Sequence, residues 1–262
     1  MKQRIQTAIL ALIVFLPLVI YGEWPFTLFV YFLSTLALVE LIQMRKLSGH
    51  VIPFILATAL VWIILLQMPS GAIPGVWFTI IEAIVLIVVL LLGYTVLAKN
   101  TFTFDDAGFM LLAAIYVGIG FNYLIETRAA GLNYIFFVLF IIWATDTGAY
   151  FFGRAFGKRK LWPIISPNKT IEGAIGGVIS ACIVGVIFHL IYPFDFSMII
   201  ILGVTVFISV FGQIGDLVES AFKRHYDVKD SGKILPGHGG ILDRLDSLLF
   251  VLPLIHFIHF VS

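Results

Sequence analysis

The sequence predicts an all-α fold, a polytopic transmembrane helical bundle of about nine spans with its N-terminus in the cytoplasm. Of the 262 residues, 61% are hydrophobic and only 12% are charged, which is incompatible with a large soluble domain. Several apolar runs reach the roughly 18 residues that indicate a membrane-spanning helix. Nearly all lysines and arginines also fall on one side of the membrane that these runs define, which fixes the predicted orientation.

The apolar runs are separated by short breaks that contain glycine, proline or polar turn residues. The predicted helices cover about 5–21, 24–43, 51–67, 76–98, 106–124, 132–152, 171–192, 197–217 and 241–260. Helices are expected rather than barrel strands, because runs of this length satisfy their backbone hydrogen bonds internally only as helices. Residues 1–130 form the predicted N-terminal membrane part. Residues 131–262 form the predicted catalytic part, which contains the longer polar loops.

Counting spans from the N-terminus places 15 of the 16 lysines and arginines on one side, and only Arg128 on the other. Basic residues favour the cytoplasmic side, so the N-terminus and the loops at about 153–170 and 218–240 are predicted to be cytoplasmic. The compact size suggests a multi-pass protein of the cell membrane. Any chemistry on a soluble cytoplasmic metabolite is expected at these two loops. Nothing in the sequence predicts a nucleic-acid partner.

Carboxylates are concentrated at the predicted cytoplasmic ends of the last two helices. Asp216, Glu219, Ser220 and Lys223 are spaced i, i+3, i+4 and i+7, which places them on one helical face. Asp243 and Asp246 share a face at the start of the ninth helix, with Arg244 beside them. Three converging aspartates repel one another unless a cation lies between them, and oxygen ligands without His or Cys favour Mg²⁺. The alternative is a set of ion pairs at the membrane boundary.

Two further segments have patterns typical of phosphate binding. Gly237, His238, Gly239 and Gly240 directly precede the ninth helix, where backbone N–H groups are able to approach an anion; a flexible turn is the alternative. The loop at about 153–170 leads into the seventh predicted helix, and three polar side chains lie around the start of that helix: Ser166, Lys169 and Glu172. They supply a hydroxyl, an ammonium and a carboxylate group. Asp146 lies within the sixth predicted span. Gly173, Gly176 and Gly177 are predicted to allow close helix packing. Glu40 has no pattern that predicts a chemical role.

The C-terminal motifs resemble one known family. Residues 220–246 read Ser-x-Phe-Lys-Arg, four residues, Lys-Asp-x-Gly, two residues, Leu-Pro-x-His-Gly-Gly-Ile-x-Asp-Arg-Leu-Asp. This stretch resembles the signature of the phosphatidate cytidylyltransferases, or CDP-diacylglycerol synthases. The segments Asp146-Thr-Gly-Ala-Tyr and Ser166-Pro-x-Lys-Thr-x-Glu-Gly are also similar to that family. The resemblance covers about 143–246.

The resemblance implies that CTP and phosphatidic acid are converted to CDP-diacylglycerol and pyrophosphate with Mg²⁺. It further implies a homodimer and a second, monovalent cation such as K⁺ near the magnesium. We expect Asp216, Asp243 and Asp246 to bind the metal, with Asp146 in support. Phosphate binding is expected from Lys223, Arg224 and Arg244, with Ser220 on the same face and the Gly237–Gly240 segment around the triphosphate. Ser166, Lys169 and Glu172 are expected to position the lipid phosphate or to order the site.

Two other functions compete with this reading. A CTP-dependent kinase of a polyprenol or another lipid alcohol would transfer the γ-phosphate and release CDP. An ion-coupled transporter would place its charges near the bilayer midplane in paired, broken helices. The charges here cluster at one face and no inverted repeat is evident, which argues against transport.

Overall fold

The computed structural model describes residues 2–67, 79–237 and 239–261. Its elements are α1 (Lys2–Tyr21), α2 (Glu23–Met44), α3 (Val51–Gln67), α4 (Ile80–Leu97), α5 (Phe104–Ala130), α6 (Leu132–Phe156), β1 (Lys160–Trp162), β2 (Ser166–Thr170), α7 (Ile171–Ile191), α8 (Met198–His225) and α9 (Leu242–Phe257). The only strands within these ranges are β1 and β2, which form an antiparallel hairpin.

The all-α prediction is confirmed, and the helices follow one another in the predicted order. The largest differences are at helix ends. α8 extends to His225, eight residues beyond the predicted end, so the polar face that begins at Asp216 is helical throughout. α5 and α6 are also longer than predicted, and residues 76–78 of the predicted fourth helix lie outside the described residues. The β1–β2 hairpin was not predicted.

In the described ranges, six helices are long and apolar enough to cross a membrane: α2, α4, α5, α6, α7 and α8. Their surfaces carry many large apolar side chains that water would not favour, among them Ile81, Val96 and Leu112. The chain is therefore a multi-pass membrane protein. α1 and α3 contain shorter apolar stretches, and α9 has 16 residues, so the predicted count of nine spans remains a prediction.

The chain divides into two compact units. The first contains residues 1–126 and 230–242. In this unit α2 packs against α1 and α3, and α3 packs against α4. Arg45, at the end of α2, pairs with Asp106 of α5 at 2.7 Å and lies over the ring of Phe109.

The second unit contains residues 127–229 and 243–262, and it holds most of the predicted site residues. α6, α7 and α8 pack against one another in this unit. A Cβ added at Gly177 would lie 2.8 Å from the Thr145 carbonyl oxygen, and one at Gly173 2.8 Å from the Ala149 carbonyl oxygen. The prediction that these glycines allow close helix packing is confirmed. Thr145 also donates a buried hydrogen bond to Ser209, which links α6 to α8.

Candidate active site

The polar face predicted on the eighth helix exists, and it lies in the last three turns of α8. Asp216, Glu219 and Lys223 share this face, and Ser220 donates a hydrogen bond to Asp216 over 3.4 Å. Glu219 is only 1% exposed, although it is a carboxylate on a helix rich in apolar residues. Burying a charge is costly unless other groups compensate it, so the neighbours of this face determine what it can bind.

α8 and α9 approach each other closely beside Asp216. A Cβ built on Gly215 would lie 2.7 Å from the Cβ of Phe250 and 3.0 Å from the carbonyl oxygen of Asp246. Real Cβ atoms do not tolerate the shorter of these distances without a shift of the backbone. Glycine at 215 therefore lets the two helices come together at the level where each carries an aspartate.

We predict that Gly215→Ala lowers the CTP-dependent turnover that the family resemblance implies roughly ten- to hundredfold, because displacing a reacting group by about 1 Å has that effect. The substitution should do so even though alanine favours a helix over glycine by about 1 kcal/mol. Gly203→Ala is the matched control on the same helix, since nothing lies within 4 Å of a Cβ there. Equal turnover of the two purified variants would contradict the proposed role of the α8–α9 contact.

Three aspartates from three helices form the centre of the site. Asp146 of α6, Asp216 of α8 and Asp246 of α9 lie close enough for their negative charges to act on one another. The charges of Lys169 and Arg244 reach Asp146 with the opposite sign. The predicted convergence of Asp216 with Asp246 is thus present. Asp146, expected only in support, interacts electrostatically with both Asp216 and Asp246.

Lys223 sits between two carboxylates. Its ammonium group forms an ion pair with Glu219 one turn earlier on α8, and a second with Asp243 at 2.6 Å. The Asp243 side chain is 6% exposed. Because an ammonium group has three N–H donors, one donor remains for a phosphate oxygen. The predicted phosphate-binding role of Lys223 is therefore compatible with these pairs. One carboxylate oxygen of Asp243 is already used by Lys223.

The β1–β2 hairpin brings the predicted loop residues to the same face. Lys169, at the end of β2, pairs with Asp216 at 2.7 Å. Glu172 accepts hydrogen bonds from the backbone N–H groups of Lys158 and Arg159, both at 3.1 Å, which supports the expectation that it orders this segment. Ser166 starts β2 and is paired in register with Trp162.

Arg224 was predicted to bind a phosphate, but part of its guanidinium is already used. Its Nε–H donates a hydrogen bond to the carbonyl oxygen of Ile165 at 3.1 Å. A guanidinium has five N–H donors, so the other donors remain for a ligand. In the structure Arg224 fixes the hairpin against the end of α8.

The glycine-rich segment before α9 belongs to the first unit, and its surroundings differ from the prediction. Gly237 and Gly239 have positive φ values of 78° and 87°, a conformation that glycine adopts without strain. The backbone N–H groups of Ile241 and Leu242 donate to the Glu40 carboxylate at 2.8 and 2.9 Å. The anion at this helix start is therefore a protein side chain. His238, predicted to bind substrate, lies outside the described residues.

Glu40 is a residue that sequence reasoning missed. It is 1% exposed, and it also accepts a hydrogen bond from Ser231 at 3.0 Å. A Cβ at Gly232 or Gly240 would collide with its carboxylate group. The one available signal was a lone glutamate inside an apolar helix, which requires a partner. The partners lie about 190 to 200 residues away in sequence, so no local pattern points to them.

The donor set suits a hard cation, because every candidate ligand in the cluster is a carboxylate oxygen. The cluster contains five carboxylates and three basic side chains: Asp146, Asp216, Glu219, Asp243 and Asp246, and Lys169, Lys223 and Arg244. When all eight groups are ionised, the net charge of the cluster is −2, which one divalent cation would balance. Over the described ranges, no three Asp, Glu, His or Cys side chains are arranged to hold one ion. Mg²⁺ commonly uses only one or two protein carboxylates and completes its shell with water and phosphate oxygens.

Comparison with known proteins identifies the family of this chain. The chain matches the cytidylyltransferase family over residues 2–262. It belongs to the cytidylyltransferase family. The cytidylyltransferase is 54% identical over 261 residues to the phosphatidate cytidylyltransferase of Bacillus subtilis, a match that covers 98% of this chain and 97% of the relative. It is 51% identical to the enzyme of the same name from Staphylococcus saprophyticus, with 98% of each chain covered.

The breadth of the match matters as much as its level. The enzyme of that name from Staphylococcus aureus strain COL is 50% identical over 256 residues, again with 98% of each chain covered. The similarity therefore includes α1 to α5, where the motifs that suggested the family are absent. Glu40 lies within this extended match.

Proposed function

We propose that this cytidylyltransferase is a phosphatidate cytidylyltransferase, an integral-membrane nucleotidyltransferase of phospholipid biosynthesis. It converts CTP and phosphatidic acid to CDP-diacylglycerol and pyrophosphate. The observation that carries the proposal is the identity of about half of all residues, over almost the whole length, with proteins of that name. The acidic site bordered by lysines and arginines supports it, because the reaction brings two polyanions together at a membrane.

The chemistry is a nucleotidyl transfer. An oxygen of the phosphatidate phosphate attacks the α-phosphorus of CTP, and the bond from that phosphorus to the bridging α–β oxygen breaks. Pyrophosphate leaves in line with its bonding electron pair. A phosphate monoester is already an anion near neutral pH, so the site does not need a strong general base. Its contributions are positioning and the neutralisation of charge.

The residues divide between the two substrates. Lys223, Arg224 and Arg244 bind phosphate oxygens of CTP, and Ser220 supports the same face of α8. Lys169 and Ser166, at the two ends of β2, hold the phosphate of phosphatidate, while Glu172 keeps the hairpin in place. A contact of the Gly237–Gly240 segment with the triphosphate or the leaving pyrophosphate stays a prediction from the sequence. The amides of Ile241 and Leu242 are not available for it, because Glu40 uses them.

Magnesium is the proposed metal, held by Asp216 and Asp246, with Asp243 and Asp146 adjacent. It supplies charge neutralisation on the phosphates of CTP and stabilises the leaving pyrophosphate. A K⁺ ion is the proposed second cation, as the resemblance to the phosphatidate cytidylyltransferases implies. The chain acts as a homodimer in the plasma membrane, with about nine spans and its site on the cytoplasmic side. The clustering of lysine and arginine on one side supports that orientation.

The decisive experiment follows two labels of CTP. Purified protein in detergent micelles with phosphatidic acid and Mg²⁺ should move the α-³²P label into a CDP-lipid and release the γ-³²P label as pyrophosphate. Chelation of divalent ions with EDTA should abolish both signals, and added Mg²⁺ should restore them. A parallel reaction contains a polyprenol in place of phosphatidic acid. Transfer of the γ-label to the polyprenol, with no CDP-lipid formed from phosphatidic acid, would instead identify a CTP-dependent lipid kinase and overturn the proposal.

A further inference from the structure

The β1–β2 hairpin lies between two of the candidate membrane-spanning helices. It joins α6, which ends at Phe156, to α7, which begins at Ile171. Both helices are candidate membrane spans, and they pack directly against each other. Two adjacent spans joined by so short a connection end at the same membrane face. The hairpin therefore lies at the level of the lipid headgroups.

Its outward surface combines large apolar groups with lysines. Trp162 is 55% exposed and Ile164 is 87% exposed, although neither lies within a membrane-spanning helix. Lys160, at the start of β1, is exposed as well. No ion pair involves Lys158 or Lys160 in the part of the chain that the structure describes. A tryptophan beside uncompensated lysines is typical of the interface between water and lipid.

The hairpin is held firmly against the helices. The Arg159 carbonyl oxygen accepts a hydrogen bond from Ile171 at 2.9 Å, and Arg159 also pairs with Glu172 at 3.1 Å. At the tip, Ile165 accepts the hydrogen bond from Arg224. These contacts fix which side of the hairpin faces outward. The exposure of Trp162 and Ile164 is thus set by the fold.

We propose that residues 158–165 dock on an anionic phospholipid surface, that of the membrane in which the chain resides. Trp162 and Ile164 insert at the boundary between headgroups and acyl chains, while Lys158 and Lys160 bind lipid phosphates. Trp162 is paired with Ser166, and Lys169 lies three residues along β2, about 10 Å away at the rise of a strand. Anionic lipid held here therefore lies beside the site. That this lipid includes the substrate phosphatidate rests on the proposed function.

Insertion is tested by fluorescence in nanodiscs that contain phosphatidylglycerol. Subtracting the emission of Trp162→Phe from that of the unmodified protein isolates Trp162 among the five tryptophans. Lipids brominated on their acyl chains should quench this difference signal, and aqueous iodide should leave most of it. Quenching by iodide but not by brominated lipid would overturn the proposal. This measurement does not depend on enzymatic activity.

Recruitment is tested by kinetics in mixed micelles. Lys158→Gln/Lys160→Gln should raise the KM for phosphatidate, expressed as surface mole fraction, roughly three- to tenfold. The KM for CTP and the kcat should stay within about twofold. Neither lysine side chain forms an ion pair with a carboxylate of the site in the described residues, and the substitutions leave the backbone N–H of Lys158 on Glu172. Lys46→Gln/Lys99→Gln removes two other exposed lysines and should change neither KM. An unchanged KM for phosphatidate would overturn the recruitment role. Absence of CDP-lipid with the unmodified protein would instead contradict the proposed function and leave the fluorescence result standing.

Discussion

Asp246→Asn is expected to lower the CTP-dependent turnover roughly 10²- to 10³-fold, equivalent to about 3–4 kcal/mol of transition-state stabilisation. The substitution keeps the size of the side chain and removes its charge. Asp246 is one of three aspartates whose charges act on one another, so it contributes to the field that attracts a divalent cation. Asp216→Asn should produce a loss of the same order, because Asp216 is the partner on α8. The measurement is initial rate at saturating CTP and phosphatidate, over a range of Mg²⁺ concentrations.

The control is Asp195→Asn, which makes the same chemical change at an exposed position before α8. α8 begins at residue 198, so at 1.5 Å per residue Asp195 lies about 30 Å from Asp216. It should retain full turnover. The test also includes Asp243→Asn, whose effect should be at least tenfold because it removes an ion-pair partner of Lys223. Turnover near that of the unmodified protein in both Asp216→Asn and Asp246→Asn would remove the metal assignment.

A structural feature is predictable from the sequence when the residues that determine it lie close together in the chain. The helices could be predicted, because an apolar run is a local property of the chain. The face of α8 could also be predicted, since residues at i, i+3 and i+4 are neighbours on any helix. The meeting of Asp216 with Asp246 required the assumption that α8 and α9 pack together, and Gly215 is the physical reason that they do.

Three features of the structure could not be predicted from local sequence patterns. Asp146 was placed in a supporting role because no sequence pattern fixes the rotation of α6 relative to α8. The hairpin at 160–170 was read as an irregular loop, because its strands are three and five residues long and contain a proline. Glu40 was left without a role because its hydrogen-bond donors lie on a segment that follows α8 in the chain. In each case tertiary contacts, rather than local propensity, determine the structure.

Glu40→Ala is expected to destabilise the protein by about 3 kcal/mol or more and to reduce its turnover. The change leaves the N–H groups of Ile241 and Leu242 and the hydroxyl of Ser231 without their common acceptor. Each buried donor left unsatisfied costs about 1–3 kcal/mol. The melting temperature in detergent should fall by roughly 10 °C. Turnover should fall because Leu242 immediately precedes Asp243, so the start of α9 loses its fixed position.

Glu23→Gln is the matched control for Glu40→Gln, because Glu23 is exposed at the opposite end of the same helix. Glu40→Gln retains the volume of the side chain but turns one acceptor oxygen into a donor NH₂ group. It should therefore lower the melting temperature, though by less than Glu40→Ala, while Glu23→Gln leaves it unchanged. A Glu40→Ala protein that melts like the unmodified one would contradict a structural role for this carboxylate.

A double substitution separates this role from nucleotide binding at Gly240. A Cβ at Gly240 would collide with the Glu40 carboxylate, and its φ is not in the left-handed region, so steric contact is the reason for glycine there. The Ser231 hydroxyl oxygen would also collide with the same Cβ, and it donates a hydrogen bond to Glu40. Glu40→Ala removes the carboxylate and this hydrogen bond, so the hydroxyl is able to turn away and leave room for the Cβ. Gly240→Ala should therefore lower stability and turnover strongly alone, but add little in the Glu40→Ala background. If Gly240 served mainly to admit a phosphate, its substitution would raise the KM for CTP equally in both backgrounds, because a phosphate would meet the new methyl group whether or not Glu40 were present.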